Sequence, residues 1–210
     1  MKDIRREYAS RSLDDGSTDP DPMTQFQMWF SEALISQVVD ANAMSLATAS
    51  PTGEPSVRTV LLKEVHEGGF VFFTHYTSPK ARNLAENPRA CLLFYWAELE
   101  RQVRITGSVR KVSREVSEAY FASRPIASQW AAWAASQSTE LPDRETLERR
   151  FEETKRTYPG PAVPCPPQWG GLQVTPERME FWQGRPSRLH DRILYTKQAD
   201  NTWTRARLAP

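Results

Sequence analysis

The hydrophobic positions change period three times along the chain, and each change marks a change of element. Residues 1–22 show almost no apolar periodicity. Arg5-Arg6-Glu7-Tyr8 is followed by Ser, Asp, Gly and Pro in quantity, the composition of a mobile arm. Asp21-Pro22 then supplies a helix N-cap and a proline for the first turn. From there Phe26, Trp29, Phe30, Ala33, Leu34 and Val38 recur at helical spacing and predict an amphipathic helix to about Val39. The next hundred residues switch to short runs rich in Val, Leu, Phe and Thr, at 43–50, 56–64, 69–75, 89–96 and 102–112. Turn residues at Pro51-Thr52-Gly53, Glu67-Gly68-Gly69 and 97–100 separate them, and a short helix is expected over 79–86, closed by Asn87-Pro88.

Helical spacing returns at Ser113, the N-cap expected for a helix over 114–123. Arg124-Pro125 interrupts it, and 127–137 resumes with Trp130 and Trp133 among alanines. A third, highly charged helix over 143–158 has Leu147 and Phe151 as its narrow apolar seam. The proline-rich stretch 159–167 reads as an ordered crossing rather than a flexible linker. Strands follow at 172–175, 179–183 and 188–196, with 203–208 closing the chain. Closely spaced strands with tight connections argue for a mainly β, α+β fold, an antiparallel barrel or sandwich with helices around it. The expected organisation is an arm over 1–22 and one domain over 23–210.

Composition narrows the function classes. Lys plus Arg (27) nearly cancels Asp plus Glu (26), so no global field is available to hold nucleic acid or an anionic membrane. Any anion site must be a local cluster. No segment approaches the ~20 apolar residues of a membrane span and no apolar leader follows the first residues, which predicts a cytoplasmic protein. Cys91 and Cys165 form neither a disulfide framework nor a metal-ligand spacing, and no metal is expected. No glycine-rich dinucleotide fingerprint or P-loop occurs, so a nucleotide would need another device.

The densest candidate chemistry lies in Phe181-Trp182-Gln183-Gly184-Arg185-Pro186-Ser187-Arg188-Leu189-His190-Asp191-Arg192. Read as a strand from Ser187, it places Arg188, His190 and Arg192 on one face. Two guanidiniums flanking an imidazole suit a planar, anionic ligand that undergoes proton or hydride chemistry. A Ser-His-Asp hydrolase is disfavoured: no G-x-S-x-G occurs, and Asp191 would point away from His190.

Taken in order, the segments 58–63, 100–103, 120–125, Gln137-Ser138, 180–184, 188–192 and the terminal Arg207-Leu208-Ala209-Pro210 resemble the pyridoxamine 5′-phosphate oxidase family. The resemblance runs from Arg5-Arg6-Glu7-Tyr8 to the last residue. It implies an FMN-binding split β-barrel of antiparallel Greek-key type and a homodimer with FMN at the subunit interface. It also implies oxidation of pyridoxamine 5′-phosphate or pyridoxine 5′-phosphate to pyridoxal 5′-phosphate, with O₂ reduced to hydrogen peroxide. By resemblance, FMN would be held by Arg58, Thr59, Val60, Leu61, Leu62 and Lys63, by Phe73 and Thr74, and by Lys80, Gln102, Gln137, Ser138, Trp182 and Arg192. Pro79 stands where the family often has a basic residue, which implies weaker FMN retention. The substrate phosphate would meet Lys63, Tyr120, Arg124 and Ser128. Arg188, Leu189 and His190 would flank the pyridine ring, with Arg188 and His190 as the catalytic pair. Arg5, Arg6 and Tyr8 would close from the arm, with Asp40 nearby. A non-catalytic FMN or pyridoxal phosphate carrier, and a related flavin oxidoreductase with another substrate, remain as alternatives. Arg58 and Lys63 pose a tension, because a regular strand points residues five apart to opposite faces.

Overall fold

The computed structural model describes Tyr8 and residues 11–210. The Asp21 carboxylate accepts hydrogen bonds from the Met23 and Thr24 amides and starts α1, Pro22–Ile35. The helix stops short of Val39, and the turn beyond it holds Gln37 and Asp40 at φ of 53° and 49°. The strands are β1 (Ala43–Ala49), β2 (Pro55–Leu61), β3 (Glu64–His66), β4 (Gly69–His75), β5 (Arg89–Trp96), β6 (Arg101–Lys111), β7 (Trp169–Gln183), β8 (Asp191–Lys197) and β9 (Trp203–Arg207). The remaining helices are α2 (Pro79–Glu86), α3 (Arg114–Ser123), α4 (Ile126–Ala134) and α5 (Arg144–Thr157). The strands form one antiparallel sheet in the order β2-β1-β5-β6-β7-β4-β3, with β8 and then β9 also joined to β7. It curls into a half-barrel, which fits the antiparallel barrel or sandwich that the strand spacing predicts and the split barrel that the resemblance implies.

β7 is the spine of this sheet. Along one edge it pairs with β6 over nearly its whole length, and along the other it pairs with β4 from Trp169 to Val174 and with β8 from Arg178 to Gln183. The sequence predicts two strands here, separated at Pro176; the structure has one. Pro176 falls in the gap between the β4 and β8 pairings, where its missing N–H has no ladder to serve. Opposite it the β6–β7 register shifts between Thr106 and Gly107. A Cβ at Gly107 would stand 1.9 Å from the Thr175 carbonyl oxygen, so glycine is what lets the backbones approach at this bulge.

Two other strand expectations are corrected. The run 56–64 breaks after Leu61: the Leu62 amide bonds the Asn42 carbonyl, and the Lys63 amide bonds the Val71 carbonyl. The chain thus leaves the β1 edge for the β4 edge, which removes the tension between Arg58 and Lys63. The run 188–196 is extended only from Asp191, because 186–188 forms a 3₁₀ turn with Ser187 and Arg188 at φ of 55° and 60°. The alternation that aligned Arg188 and His190 with Arg192 therefore does not hold.

The core is aromatic. Phe26 of α1 meets Phe70 and Phe94 at ring distances of 4.9 and 5.1 Å, and Trp29 meets Phe181 at 5.2 Å. Beside them Arg101 is buried with its charge satisfied. It lies 4.2 Å over the Trp29 ring and bonds Glu32 and Gln183, each at 2.9 Å, tying α1 to the spine. A second cluster packs Phe121 and Ala132 with Val163 and Trp169. Trp130 and Trp133 donate to the Tyr158 and Pro164 carbonyls, so the proline-rich crossing is fixed in place as expected. Among the described residues no helix is long and apolar enough to cross a membrane.

Gly107→Ala should lower unfolding stability by about 1–3 kcal/mol, because the added methyl must push β6 off β7. Gly16→Ala, where a Cβ would meet nothing within 4 Å, should stay within about 0.5 kcal/mol of the parent. Denaturant midpoints of the two variants measure the difference.

Candidate active site

Between the edge strand β2, the end of β4 and the α3–α4 junction lies an open cavity of about 1030 Å³. Arg58, Lys63, Lys80 and Arg124 line it, and among the described residues no carboxylate does. Four cations without a counter-charge make a local anion site in a chain of nearly zero net charge. Arg58 is aimed by the β1–β2 pairing: its guanidinium donates to the Leu46 carbonyl at 3.0 Å and to Thr48 Oγ1 at 2.9 Å. Lys80, in the first turn of α2, is 7% exposed. Its ammonium donates to Gln137 Oε1 at 2.8 Å and to Thr74 Oγ1 and Ser78 Oγ at 3.3 Å each. These partners are all neutral. Burial, and then the charge of Arg58, pull the Lys80 pKa down to about 8.

On the opposite wall Phe73 stacks on Tyr120 at 3.9 Å, and Arg124 lies 4.9 Å over the Trp169 ring. Tyr120, Arg124 and Ser128 all reach this cavity. They do so from two helices, because Pro125 ends the first and starts the second and Arg124 is extended between them. Gln129 holds the junction by donating to the Arg124 carbonyl at 2.8 Å. One Arg124 nitrogen, Nη1, is buried without a partner, which is a donor waiting for an acceptor. Thr59, Val60, Leu61, Pro79 and Ser138 also line the cavity, whereas Leu62 turns into the core.

The remaining predicted residues gather elsewhere. Gln102, Trp182 and Arg192 line a second, smaller cavity of about 330 Å³, together with Arg104, Glu180 and Pro210. The buried Glu180 carboxylate pairs with Arg104 and, at 2.8 Å, with Arg192 Nε, and a further Arg192 nitrogen donates to the Ala209 carbonyl at 2.8 Å. The chain end therefore forms part of this wall.

Beside it stands His190, its ring 4.7 Å from that of Trp182, with the Tyr8 ring 5.7 Å from both. A Cβ at Gly184 would lie 2.7 Å from Tyr8 Cγ, so glycine is needed for that ring to seat. Burial, followed by the charge of Arg188, lowers the His190 pKa below the ordinary histidine value, with Asp191 acting in the opposite direction. Arg188 and Leu189 are exposed on the same turn, and neither lines either cavity. Arg5 and Arg6 lie outside the described residues, and Asp40 lines neither cavity.

Sequence reasoning missed two groups. His75, which is not among the predicted site residues, is buried at the end of β4 and lines the larger cavity. Burial, then Arg124 and Lys80, lower its pKa. A histidine two residues past Phe73 on a strand that carries a cavity wall was the available signal. Glu180 carried none beyond its place two residues before Trp182, on the same strand face.

Residues 30–158 match the family model described as pyridoxamine 5′-phosphate oxidase, and residues 169–210 match that of the pyridoxine 5′-phosphate oxidase C-terminal dimerisation region. A pyridoxine/pyridoxamine 5′-phosphate oxidase of Ralstonia pickettii is 57% identical over 210 residues, covering 100% of this chain and 99% of the relative. One from a Nostoc species is 51% identical over 210 residues, covering 100% and 98%. Among solved structures, PhzG from Burkholderia lata in complex with tetrahydrophenazine-1-carboxylic acid superposes with a TM-score of 0.90 at 30% identity, over 96% of this chain and 100% of that one. A pyridoxamine 5′-phosphate oxidase-related, FMN-binding protein from Nostoc punctiforme shares the fold, with a TM-score of 0.73 at 20% identity over 92% and 99% of the two chains. With matches spanning nearly all of its length, the chain belongs to the pyridoxamine 5′-phosphate oxidase family.

Proposed function

We propose that this protein is an FMN-dependent oxidase that converts pyridoxamine 5′-phosphate or pyridoxine 5′-phosphate to pyridoxal 5′-phosphate, with O₂ reduced to hydrogen peroxide. The observation that carries the reading is the cavity with cations on two walls that, among the described residues, no carboxylate lines. FMN and the substrate each bring a phosphate of charge about −1.5 to −2, so two sets of charge-assisted donors are required. Arg58 and Lys80, with Thr74, Gln137 and Ser138, form one set and suit the FMN phosphate and ribityl chain. Lys63 and Arg124, with Tyr120 and Ser128, form the other and suit the substrate phosphate. The unpartnered Arg124 nitrogen supports that assignment.

FMN, when bound, supplies the hydride acceptor and the reaction with O₂. The chain's own residues bind the two phosphates, hold the pyridine ring and exclude water. Arg188 and His190 orient the ring, and Tyr8 closes over it from the arm.

A homodimer completes the site on this reading. From Gly171, beside Phe73, to Trp182 the spine extends roughly 36 Å at about 3.3 Å per residue, too far for one flavin to bridge along it. The Trp182–Arg192 face of a second copy would instead cover the larger cavity. Exposed Val57 and Leu61 on edge strand β2, 68% and 41% accessible, and Tyr95 at 53% offer apolar surface for such a contact. The C-terminal family match, to a dimerisation region, agrees.

Anaerobic addition of pyridoxine 5′-phosphate to the FMN-loaded protein should bleach the visible flavin absorption, with recovery on admitting air. Unchanged absorption with both phosphorylated vitamers would point to a carrier, or to an enzyme for a different planar acid. Lys80→Met should weaken FMN binding about 10- to 100-fold, by loss of one charge-assisted donor. The parent's affinity should fall as pH rises through about 8, because the phosphate prefers the protonated ammonium that is lost there. Lys80→Met should lose that pH dependence, as measured by flavin fluorescence titration.

A further inference from the structure

The turn between β7 and β8 holds an arrangement that no phosphate contact requires. The Arg185 amide donates to His190 Nδ1 at 3.1 Å. The Arg185 side chain is anchored at both ends of its guanidinium: one nitrogen donates to the Arg11 carbonyl at 3.1 Å, and Nε lies 3.5 Å from Asp191 Oδ2. Asp191 also accepts the Leu13 amide at 3.0 Å and Arg207 at 2.8 Å, and Arg207 reaches on to the Leu13 carbonyl at 3.1 Å. At the start of the turn the Gly184 amide is fixed by the Glu100 carbonyl at 2.8 Å. The turn that carries this amide is therefore held by the arm, by the final strand and by the residue that precedes β6.

A neutral imidazole has one donor and one acceptor nitrogen, and the partner of one decides the tautomer. An N–H aimed at Nδ1 makes Nδ1 the acceptor and leaves the proton on Nε2. We infer that Arg185 and Asp191 are positioning residues that fix His190 as the Nε2–H tautomer, so that His190 donates a hydrogen bond to a lone-pair atom on the bound pyridine and does not serve as the base. Its single lone pair is already occupied. The proton that leaves the substrate's C4′ oxygen or nitrogen is then not taken by His190. Protonating Nδ1 would set two N–H groups against each other, so the clamp acts against the imidazolium. Arg188 opposes it too, while Asp191 favours it; the Tyr8 and Trp182 rings pack on the imidazole without adding charge.

This inference rests on the oxidase reading for the identity of the acceptor, but the tautomer can be tested without turnover. In the FMN-loaded protein labelled with ¹⁵N-histidine, the signals lost in His190→Gln identify this residue. Above its pKa, δ1 should be the unprotonated nitrogen and ε2 the protonated one; the reverse assignment would overturn the inference. Asp191→Ala should give a mixture of the two tautomers, and a spectrum identical to the parent would remove Asp191 from the clamp.

Stopped-flow flavin reduction supplies the second arm. His190→Gln keeps an N–H near the Nε2 position and has no titrating group, whereas the shorter amide of His190→Asn does not reach it. The Gln variant should reduce flavin within about tenfold of the parent and the Asn variant about 100-fold more slowly, the range for loss of one oriented donor. A Gln variant as slow as the Asn variant would establish a base and sink the donor role. If the parent itself shows no reduction with either vitamer, the oxidase reading fails, while the NMR result still decides the tautomer.

Discussion

The continuous pairing of β7 with β6 is the constraint on which the rest of the structure depends. A strand of 15 residues can serve two different partners on its second edge only if the ladder on its first edge survives the change. Pro176 and Gly107 make that possible together, one lacking the donor and the other lacking the side chain that the bulge excludes. The N-terminal half of the spine then positions β4, and with it Thr74, His75 and the start of α2. The C-terminal half positions β8 and the turn that carries His190. One backbone irregularity thus sets where both halves of the candidate site stand.

Electrostatics set the larger cavity apart from a mere gap in the packing and suit it to an anion. Three of its cations are held by neutral groups: Arg58 by two carbonyls and two hydroxyls, Lys80 by an amide and two hydroxyls, Arg124 by aromatic faces. Elsewhere the fold pairs its buried cation with acid, as at Arg101 with Glu32. Leaving Lys80 without a carboxylate is unfavourable enough to bring its pKa to about 8. Anion binding relieves that penalty, so the free energy withheld from the folded chain becomes available to the ligand.

Helix and strand identities were legible where periodicity and turn chemistry agreed. Asp21-Pro22 and Ser113 each cap the helix they announce, and 69–75 and 89–96 are strands as expected. Pro176 was misread because a proline in a strand run signals a break, and only the partner strands reveal that its N–H is unneeded. The face containing Arg188 and His190 was misread for a related reason. Alternation presumes extended backbone, and nothing local in Pro186-Ser187-Arg188 announces two consecutive left-handed residues. Membership of the larger cavity was legible through family motifs. The division of the motifs between two cavities was not, since it follows from which edge of β7 each strand occupies.

Those two left-handed residues bear on how the turn works. Non-glycine residues at φ of 55° and 60° cost of order 1 kcal/mol each and persist only where surrounding contacts overrule them. The contacts are present: Leu189 bonds back to the Pro186 carbonyl, Arg185 bonds His190, and Asp191 gathers Leu13, Arg207 and Arg185. The arm is thereby more than a cover. Leu13 supplies one of the hydrogen bonds that hold Asp191, and Arg11 holds the Arg185 guanidinium, so the segment leading from Tyr8 helps to maintain the strained turn. Tyr8 then seats over Gly184, where only a glycine leaves room, and packs on the imidazole that the turn presents. Whatever loosens Leu13 from Asp191 therefore also removes support from the turn whose Arg185 amide faces His190 Nδ1.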